Sequence, residues 1–147
     1  RRITRAWWRT VVLGGLLLPG IVGILRLHPF EYTYFNSFVG GVRGANGAYT
    51  LDRFCSASRA AMEYVNREAG KGALIAAPGA PYATSEFARR DLHVSGQYGE
   101  VVGGAKYVVT CSFAVGSMHA NADWERVYAA VRQGVVYAEV WKRITAP

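Results

Sequence analysis

The chain has 147 residues, a formal net charge of +7 and a hydrophobic fraction of 51%. This length is sufficient for one domain and too short for two domains of ordinary size. Five of the 17 basic residues precede Leu27 and no acidic residue precedes Glu31, which leaves 12 basic and 10 acidic side chains in the remainder. Nucleic-acid binding needs basic residues clustered on a folded surface, so a nearly neutral folded part argues against nucleic acid as a partner.

The first element predicted along the chain is a membrane-spanning helix. Val11 to Leu25 is a run of fifteen residues without a charge, and three flanking residues extend it to eighteen. Eighteen helical residues rise about 27 Å, close to the lower limit for a hydrocarbon core of about 30 Å. Trp7 and Trp8 fit the aromatic belt at a membrane surface, and Arg9 and Arg26 can extend their charges toward water. Residues 1–27 therefore form a basic end and a transmembrane helix.

The basic residues also predict which side of the membrane each end occupies. Arg1, Arg2, Arg5 and Arg9 lie together before the apolar run, and such clusters remain in the cytoplasm. We therefore expect an inner-membrane protein whose C-terminal domain is periplasmic. A cleaved signal peptide is one alternative, although the apolar run continues to Leu27 without an Ala-x-Ala-type site. A helix buried in the core of a soluble domain is the other.

Small residues are frequent in the predicted span. In lipid they permit the close approach of a second helix, which an isolated anchor does not need. We therefore expect packing against other transmembrane helices through these residues: Gly14, Gly15, Pro19, Gly20 and Gly23.

An aromatic and glycine-rich segment, residues 28–55, follows the span. Its aromatic side chains favour a membrane surface, and packing into the domain core is an equally good interpretation. The residues concerned are Phe30, Tyr32, Tyr34 and Phe35. The glycines between Gly40 and Gly47 predict a loop, because no convincing strand precedes them as a phosphate-binding loop would require.

Residues 56–147 predict a small α/β domain. An apolar stripe indicates a helix over Ser56–Ala69, capped by Ser56 or Ser58, and a shorter helix is expected over Pro81–Ala88. Strands are predicted over Ala73–Ala77, Leu92–Val94 and Lys106–Ser112. The alternating runs Arg126–Arg132 and Val135–Arg143, joined at Gln133-Gly134, predict a C-terminal β-hairpin. We expect an α/β sandwich with a mostly parallel sheet and this hairpin at one edge.

The segment after the apolar run carries a resemblance. Its sequence reads HPFEYTYFN, then VGGVRGA and LDRF, and the chain closes with VYAAVRQGVVYAEVWKR. This order resembles the last transmembrane helix and extracytoplasmic domain of the membrane glycosyltransferases in the protein O-mannosyltransferase and aminoarabinose-transferase superfamily. The likeness covers roughly residues 10 to 143 and is most specific over residues 28–47. Arg53-Phe54-Cys55 departs from the pattern, where an aromatic pair and a glycine are expected.

The resemblance implies a function without supplying a catalyst. The family transfers sugar from a polyprenyl-phosphate carrier, and its catalytic carboxylates lie in an early outer loop that these residues do not contain. No catalytic, cofactor-binding or metal-binding residue is predicted, and this chain alone is not expected to be an enzyme. We expect a non-catalytic accessory subunit of a larger membrane complex, in contact with lipid and with other transmembrane helices. The alternatives are a C-terminal fragment of an active glycosyltransferase and a module that binds a nucleotide or sugar.

Two further groups of residues could form a covalent bond or a reactive site: the two cysteines, and a set of Cys, His and Asp side chains. Cys55 precedes a helix antiparallel to the strand Ala73–Ala77, and Cys111 ends a strand parallel to it, so both fall at one sheet edge. We therefore weigh a Cys55–Cys111 disulfide, with two buried thiols as the alternative. Cys111 could act as a nucleophile assisted by His119 and Asp123, but no supporting motif accompanies it, so this is only weakly indicated. A metal site formed by His93, His119 and Asp123 is weakly indicated for the same reason. Trp124 and Trp141 are expected to be core or interface residues.

Overall fold

The computed structural model of the chain describes residues 2–96, 104–111, 114–118 and 123–144, with side chains from Trp7 onward. Helix α1 spans Arg2–Leu25, and Pro19 lies inside it. Its segment Trp7–Leu25 has a mean hydropathy of 1.7, and none of it is buried by the rest of the chain. The helix is therefore long and apolar enough to cross a membrane, although an N-terminal signal sequence would meet the same criterion.

Short helical turns fill the segment that follows α1. Two 3₁₀ turns span Glu31–Thr33 and Ser37–Val39, and helix α2 spans Gly41–Ala45. Leu27, Phe30 and Val42 are buried in the main core of the domain. The region predicted as a separate interfacial segment thus belongs in part to the folded domain, because it supplies core residues.

The remaining elements alternate between helix and strand before a closing hairpin, in the predicted order. Helix α3 spans Ser58–Glu68, strand β1 Leu74–Ala76, helix α4 Pro81–Glu86, strand β2 His93–Ser95 and strand β3 Tyr107–Cys111. Strands β4 and β5 span Trp124–Arg132 and Val135–Arg143. Gln133 and Gly134 have φ values of 49° and 76°, which suit the tight turn of a two-residue hairpin.

The α/β fold class is confirmed, and the sheet is mixed. Its five strands lie in the order β2-β1-β3-β5-β4. Strand β1 is parallel to β2 and β3, whereas β5 is antiparallel to β3 and β4. The prediction of a mostly parallel sheet thus describes three strands, because the two long hairpin strands must be antiparallel to each other. Two register shifts interrupt the β4–β5 pairing, and β4 is left as an edge strand.

Apolar residues cover both faces of the sheet. Helix α3 contributes Ala61, Met62 and Val65 to the larger core, which also contains Ile75 and Val140. A smaller cluster contains Ala76, Ala105, Val108, Trp124 and Trp141. Both tryptophans are buried, so within the described residues they serve as core side chains.

A carboxylate outside α3 organises the start of that helix. Asp52 is buried, and its two oxygens accept hydrogen bonds from the backbone N–H groups of Ser56 and Ala57, at 3.0 and 2.9 Å. Ala57 makes no capping bond with its side chain, and the Ser58 hydroxyl donates to Ala83 O instead. The prediction that Ser56 or Ser58 caps the helix was therefore wrong, because Asp52 already binds the free amides.

Arg89 fixes the other end of α3. Its guanidinium donates to the backbone carbonyls of Asn66 and Ala69 and also binds both oxygens of Asp91. This hydrogen bond with Arg89 lowers the pKa of the Asp91 carboxyl from 3.8 to about 2. One ion pair thus ties the C-terminus of α3 to the residues that lead into β2.

A disulfide joins Cys55 to Cys111, with the two Cα atoms 5.4 Å apart. Both residues are buried in the larger core. The bond connects the turn before α3 to the end of β3 across a sequence separation of 56 residues. It therefore links the segment that follows α1 to the centre of the sheet.

We expect the Asp91 ion pair to make stability depend on pH. A carboxyl whose pKa is lowered by folding stabilises the folded state above its unfolded pKa, and this contribution is lost as pH falls. The advantage of the wild type over Asp91→Asn should be complete at pH 5 and shrink as pH falls from about 4 to 2. Thermal unfolding across this range measures it. Glu63→Gln, which removes a surface pair with Arg59, should show no such trend, and equal curves for wild type and Asp91→Asn would contradict the prediction.

Loss of the disulfide should destabilise the domain through the unfolded chain. For a loop of this length the double variant Cys55→Ser/Cys111→Ser should lower the free energy of unfolding by about 4 kcal/mol. Urea unfolding of the full chain in detergent measures this difference. Wild type treated with dithiothreitol is the matched control and should unfold at the same urea concentration as the variant. A wild-type midpoint that is insensitive to reduction would contradict the prediction.

Candidate functional site

The residues that follow α1 are built into the domain. Phe30 is 3% exposed, and its ring stacks on that of Tyr137 with centroids 5.2 Å apart. The Thr33 hydroxyl donates to Phe30 O and shares a 3.0 Å hydrogen bond with the Tyr137 hydroxyl. Because Tyr137 belongs to β5, the helix is fixed to the sheet by a stacked, hydrogen-bonded contact. Phe30 is thus a core residue. Of the two interpretations of the aromatic segment, a membrane surface or the domain core, the second holds for this side chain.

The chain then folds back along α1. Tyr34 lies against the helix: a Cβ atom added at Gly23 would be 2.7 Å from the Tyr34 ring, and one at Gly20 would be 3.6 Å from its hydroxyl. Pro19 and Gly23 line a shared cleft with residues that follow Tyr34, among them Ser37 and Gly40. We call residues Tyr34–Gly41 the re-entrant turn, since they return alongside the last turns of the helix.

The re-entrant turn is held by its own hydrogen bonds. The Asn36 side chain accepts from the N–H groups of Phe38 and Val39, at 3.1 and 3.3 Å. Gly40 has φ of 78°, which closes the turn, and a Cβ atom at Gly44 would be 2.0 Å from Val39 O. The prediction of a loop between Gly40 and Gly47 was thus wrong for Gly41–Ala45, which form helix α2. The glycines permit the tight turn before this helix and a close backbone approach.

The tip of the β4–β5 hairpin is bound to the same region. Arg43 Nε donates to Gln133 O at 2.7 Å, and Arg132 Nε donates to His28 O at 3.0 Å. The Arg132 guanidinium also lies over the Phe30 ring, 5.4 Å from its centroid. These contacts bring the hairpin tip to the segment that follows α1 and orient the long axis of the hairpin relative to that segment.

A groove of about 770 Å³ opens beside this junction, between the segment after α1 and helices α3 and α4. Phe30, Phe54 and Phe87 supply apolar surface, and charged groups lie around them. The polar side chains at this groove include the hydrogen-bonded pair His28–Glu31 and the salt bridge Arg59–Glu63. Apolar rings beside polar groups suit binding, and the described residues that line the groove form no arrangement for nucleophilic or acid–base catalysis.

Titratable groups near the junction also have structural partners. The buried Asp52 binds the amides before α3, and partial desolvation followed by a hydrogen bond with Asp52 raises the pKa of the half-exposed Tyr32. Burial raises the pKa of Tyr137 as well. These groups connect the post-helix segment to α3 and to β5, which is a structural role.

Glu139 is buried in the middle of β5. Burial alone would raise the pKa of its carboxyl, but hydrogen bonds from Gly116 N–H, Arg126 and the Trp141 indole together hold that pKa below its ordinary value. The Thr110 hydroxyl donates a further bond. Both oxygens of this carboxylate accept hydrogen bonds, and these bonds connect β5 to β3 and β4. The carboxylate is therefore poorly placed to accept a proton from a substrate.

The described members of the weakly indicated nucleophile arrangement and metal site do not come together. The sulfur of Cys111 is bonded to Cys55 and is unavailable as a thiolate nucleophile. His93 begins β2 and Asp123 precedes β4, which are opposite edges of the sheet. His119 lies outside the described residues. Within the described ranges, no three His, Cys, Asp or Glu side chains are grouped as a metal ion would require.

The predicted helix-packing residues separate into two sets. Gly20 and Gly23 contact Tyr34 of the same chain, and Pro19 lines the adjoining cleft. Gly14 and Gly15 have no described neighbour within 4 Å. Three of the five predicted packing residues thus lie against the chain's own re-entrant turn.

The remaining residues predicted at a membrane surface vary in exposure. Trp7, Trp8, Arg9, Arg26 and Tyr32 are exposed. Phe35 is half-buried beside Tyr49, with ring centroids 5.6 Å apart. No sequence pattern indicated Arg43 or Arg132, whose contacts are long-range. For Phe38 the available signal was the Asn36-to-Gly40 spacing, which is typical of a capped turn.

No family model matches this chain, and it has no match among curated proteins or solved structures. Inferences about its function therefore depend on the geometry of the described residues and on the sequence resemblance.

Filling Gly23 should detach the re-entrant turn from α1. In Gly23→Leu the new side chain would occupy the volume of the Tyr34 ring, so the segment between Arg26 and Arg43 should become mobile. Trypsin should then cleave after these two arginines faster than in wild type, as measured by mass spectrometry in detergent. Gly14→Leu is the matched control, since it adds the same side chain where no described atom lies nearby. Equal cleavage rates in the two variants would show that the contact does not hold the turn.

Proposed function

We propose that this chain is a membrane-anchored, non-catalytic module of a larger glycosyltransferase assembly that uses polyprenyl-phosphate sugars. Helix α1 spans the inner membrane, and the α/β domain lies on the periplasmic side. The observation that carries the proposal is that the apolar surface of α1 is exposed, while Leu27 and Phe30, which directly follow the helix, are buried in the domain core. Such a helix needs an apolar environment, and it holds the domain at a defined position against it.

Two features support the direction of insertion. The cluster Arg1, Arg2, Arg5 and Arg9 favours a cytoplasmic N-terminus. The Cys55–Cys111 disulfide favours an oxidising compartment for the domain. The contact of Tyr34 with Gly20 and Gly23 argues against a removable leader, because a cleaved segment has no need to fit the mature domain.

The arrangement of glycines supports a helix partner. At 100° per residue, the direction midway between Gly14 and Gly15 lies roughly 160° around α1 from that midway between Gly20 and Gly23. The second pair is covered by Tyr34, and the first is open. One face of α1 thus packs against its own domain, and the opposite face remains for another transmembrane helix to approach closely.

The sugar-transfer context rests on the resemblance of residues 28–47 and of the closing hairpin. In that family the catalytic carboxylates lie in an early outer loop, so the assembly must supply them from other helices. Those helices belong either to a longer form of this polypeptide or to a partner chain. The groove beside the junction opens next to the end of α1, where it can contribute to the acceptor side of the enzyme.

The proposal predicts a helix contact on one side of α1. A photoreactive amino acid at Leu18, which shares the face of Gly14 and Gly15, should crosslink to a segment of a polypeptide with several membrane spans. The same amino acid at Leu16, on the opposite face, should not. Both side chains are exposed in this chain, so accessibility is matched. Mass spectrometry of the product identifies the segment and shows whether it belongs to the same polypeptide.

Activity completes the test. The purified assembly should transfer sugar from a polyprenyl-phosphate donor, and Gly15→Leu should reduce both crosslinking and transfer. Gly15 contacts no described residue, so this variant should leave the domain itself folded. A chain that crosslinks equally from both faces, in a preparation without sugar transfer, would refute the proposal.

A further inference from the structure

Phe38 is the most exposed large apolar side chain among the described residues, at 96%. It occupies the tip of the re-entrant turn, next to the exposed Val39. Full exposure of a phenylalanine ring is unfavourable in water, and the hydrogen bonds to Asn36 nonetheless hold this turn in one shape. The exposed ring is therefore held in position by a turn with its own internal hydrogen bonds.

The turn lies at a depth where the surroundings of α1 are expected to be apolar. The Tyr34 hydroxyl reaches Gly20, five residues before the end of the helix at Leu25. At 1.5 Å per residue, Gly20 is about 7.5 Å inside that end. Ser37 and Gly40 also share a cleft with Pro19 and Gly23. If α1 crosses a bilayer, the re-entrant turn lies beside its last turns rather than above the membrane.

The backbone of the turn is suited to such an environment. Polar backbone groups that enter lipid must be paired within the protein. Phe38 N–H and Val39 N–H donate to Asn36 Oδ1, Gly40 N–H donates to Ser37 O at 3.1 Å, and Gly41 N–H donates to Asn36 O at 3.0 Å. The N–H groups of residues 38–41 are thus satisfied without water.

Basic side chains lie near the turn, where lipid phosphates would be found. Arg26 follows the last residue of α1, and Arg43 lies two residues after the turn. Both are exposed, and Arg43 is held toward the hairpin tip by its bond to Gln133 O. Arginine is well suited to binding phosphate at such a boundary, and its long side chain can reach the headgroups from either side.

We propose that the re-entrant turn inserts Phe38 and Val39 into the outer leaflet of the bilayer, beside α1. The domain then has two membrane contacts, and the Tyr34 contact with Gly20 and Gly23 fixes their relative position. This inference rests on the proposed membrane placement of α1. It adds that the domain is held at a set orientation to the lipid surface by its own residues.

Single cysteines can test this directly. The chain has two cysteines and both are bonded, so an introduced cysteine is the only thiol available under non-reducing conditions. The full chain is reconstituted into phosphatidylcholine vesicles and labelled with the environment-sensitive fluorophore NBD in Phe38→Cys. Leu17→Cys reports on the middle of α1. Glu125→Cys reports on the aqueous side, since β4 carries it about 26 Å from the hairpin tip.

We expect the label at position 38 to behave like the label at position 17. Both should show blue-shifted emission, loss of intensity with doxyl-labelled lipid and protection from iodide, whereas the label at position 125 should show the reverse. If position 17 is aqueous, the membrane placement and the proposed function both fail. If position 17 is in lipid and position 38 is quenched by iodide, only the insertion of the turn fails. Protection of position 38 from both quenchers would also overturn it, because protein would then cover the ring.

Discussion

The stacking of Phe30 on Tyr137 is the contact on which the arrangement of this molecule depends. It places the first residues after α1 inside the core and joins them to β5, a strand with neighbours on both sides. The re-entrant turn, the hairpin contacts of Arg43 and Arg132, and the groove all lie around this point. Without this contact, the helix would be joined to the domain only through a flexible chain. With it, the helix and the sheet have one relative orientation.

Local patterns predicted the elements well where a single periodicity was strong. The alternation of Val136, Ala138 and Val140 located β5 with the bounds that the structure has, and the apolar stripe of α3 located that helix to within two residues at its start. Strands β1 and β2 have only three residues each. The pairing of β5 with β3, which makes the sheet mixed, involves residues about thirty positions apart and leaves no local signal.

The candidate site was less predictable because its residues meet across long sequence separations. The aromatic segment suggested a membrane surface or a core equally, and only the contact with Tyr137 decides for Phe30. The five small residues of α1 looked like one packing surface, although helical geometry and Tyr34 divide them. No periodic pattern in the sequence marks Phe38. Its exposed position depends on the re-entrant turn, whose path is defined by contacts with α1.

The irregular pairing of β4 has a consequence for contacts between copies of the chain. An open sheet edge invites strands of neighbouring copies to add on. Here that edge is interrupted by two register shifts and carries the charges of Glu125, Arg126 and Arg132. Such an edge resists strand addition, so copies of the domain can remain separate even at a high local concentration.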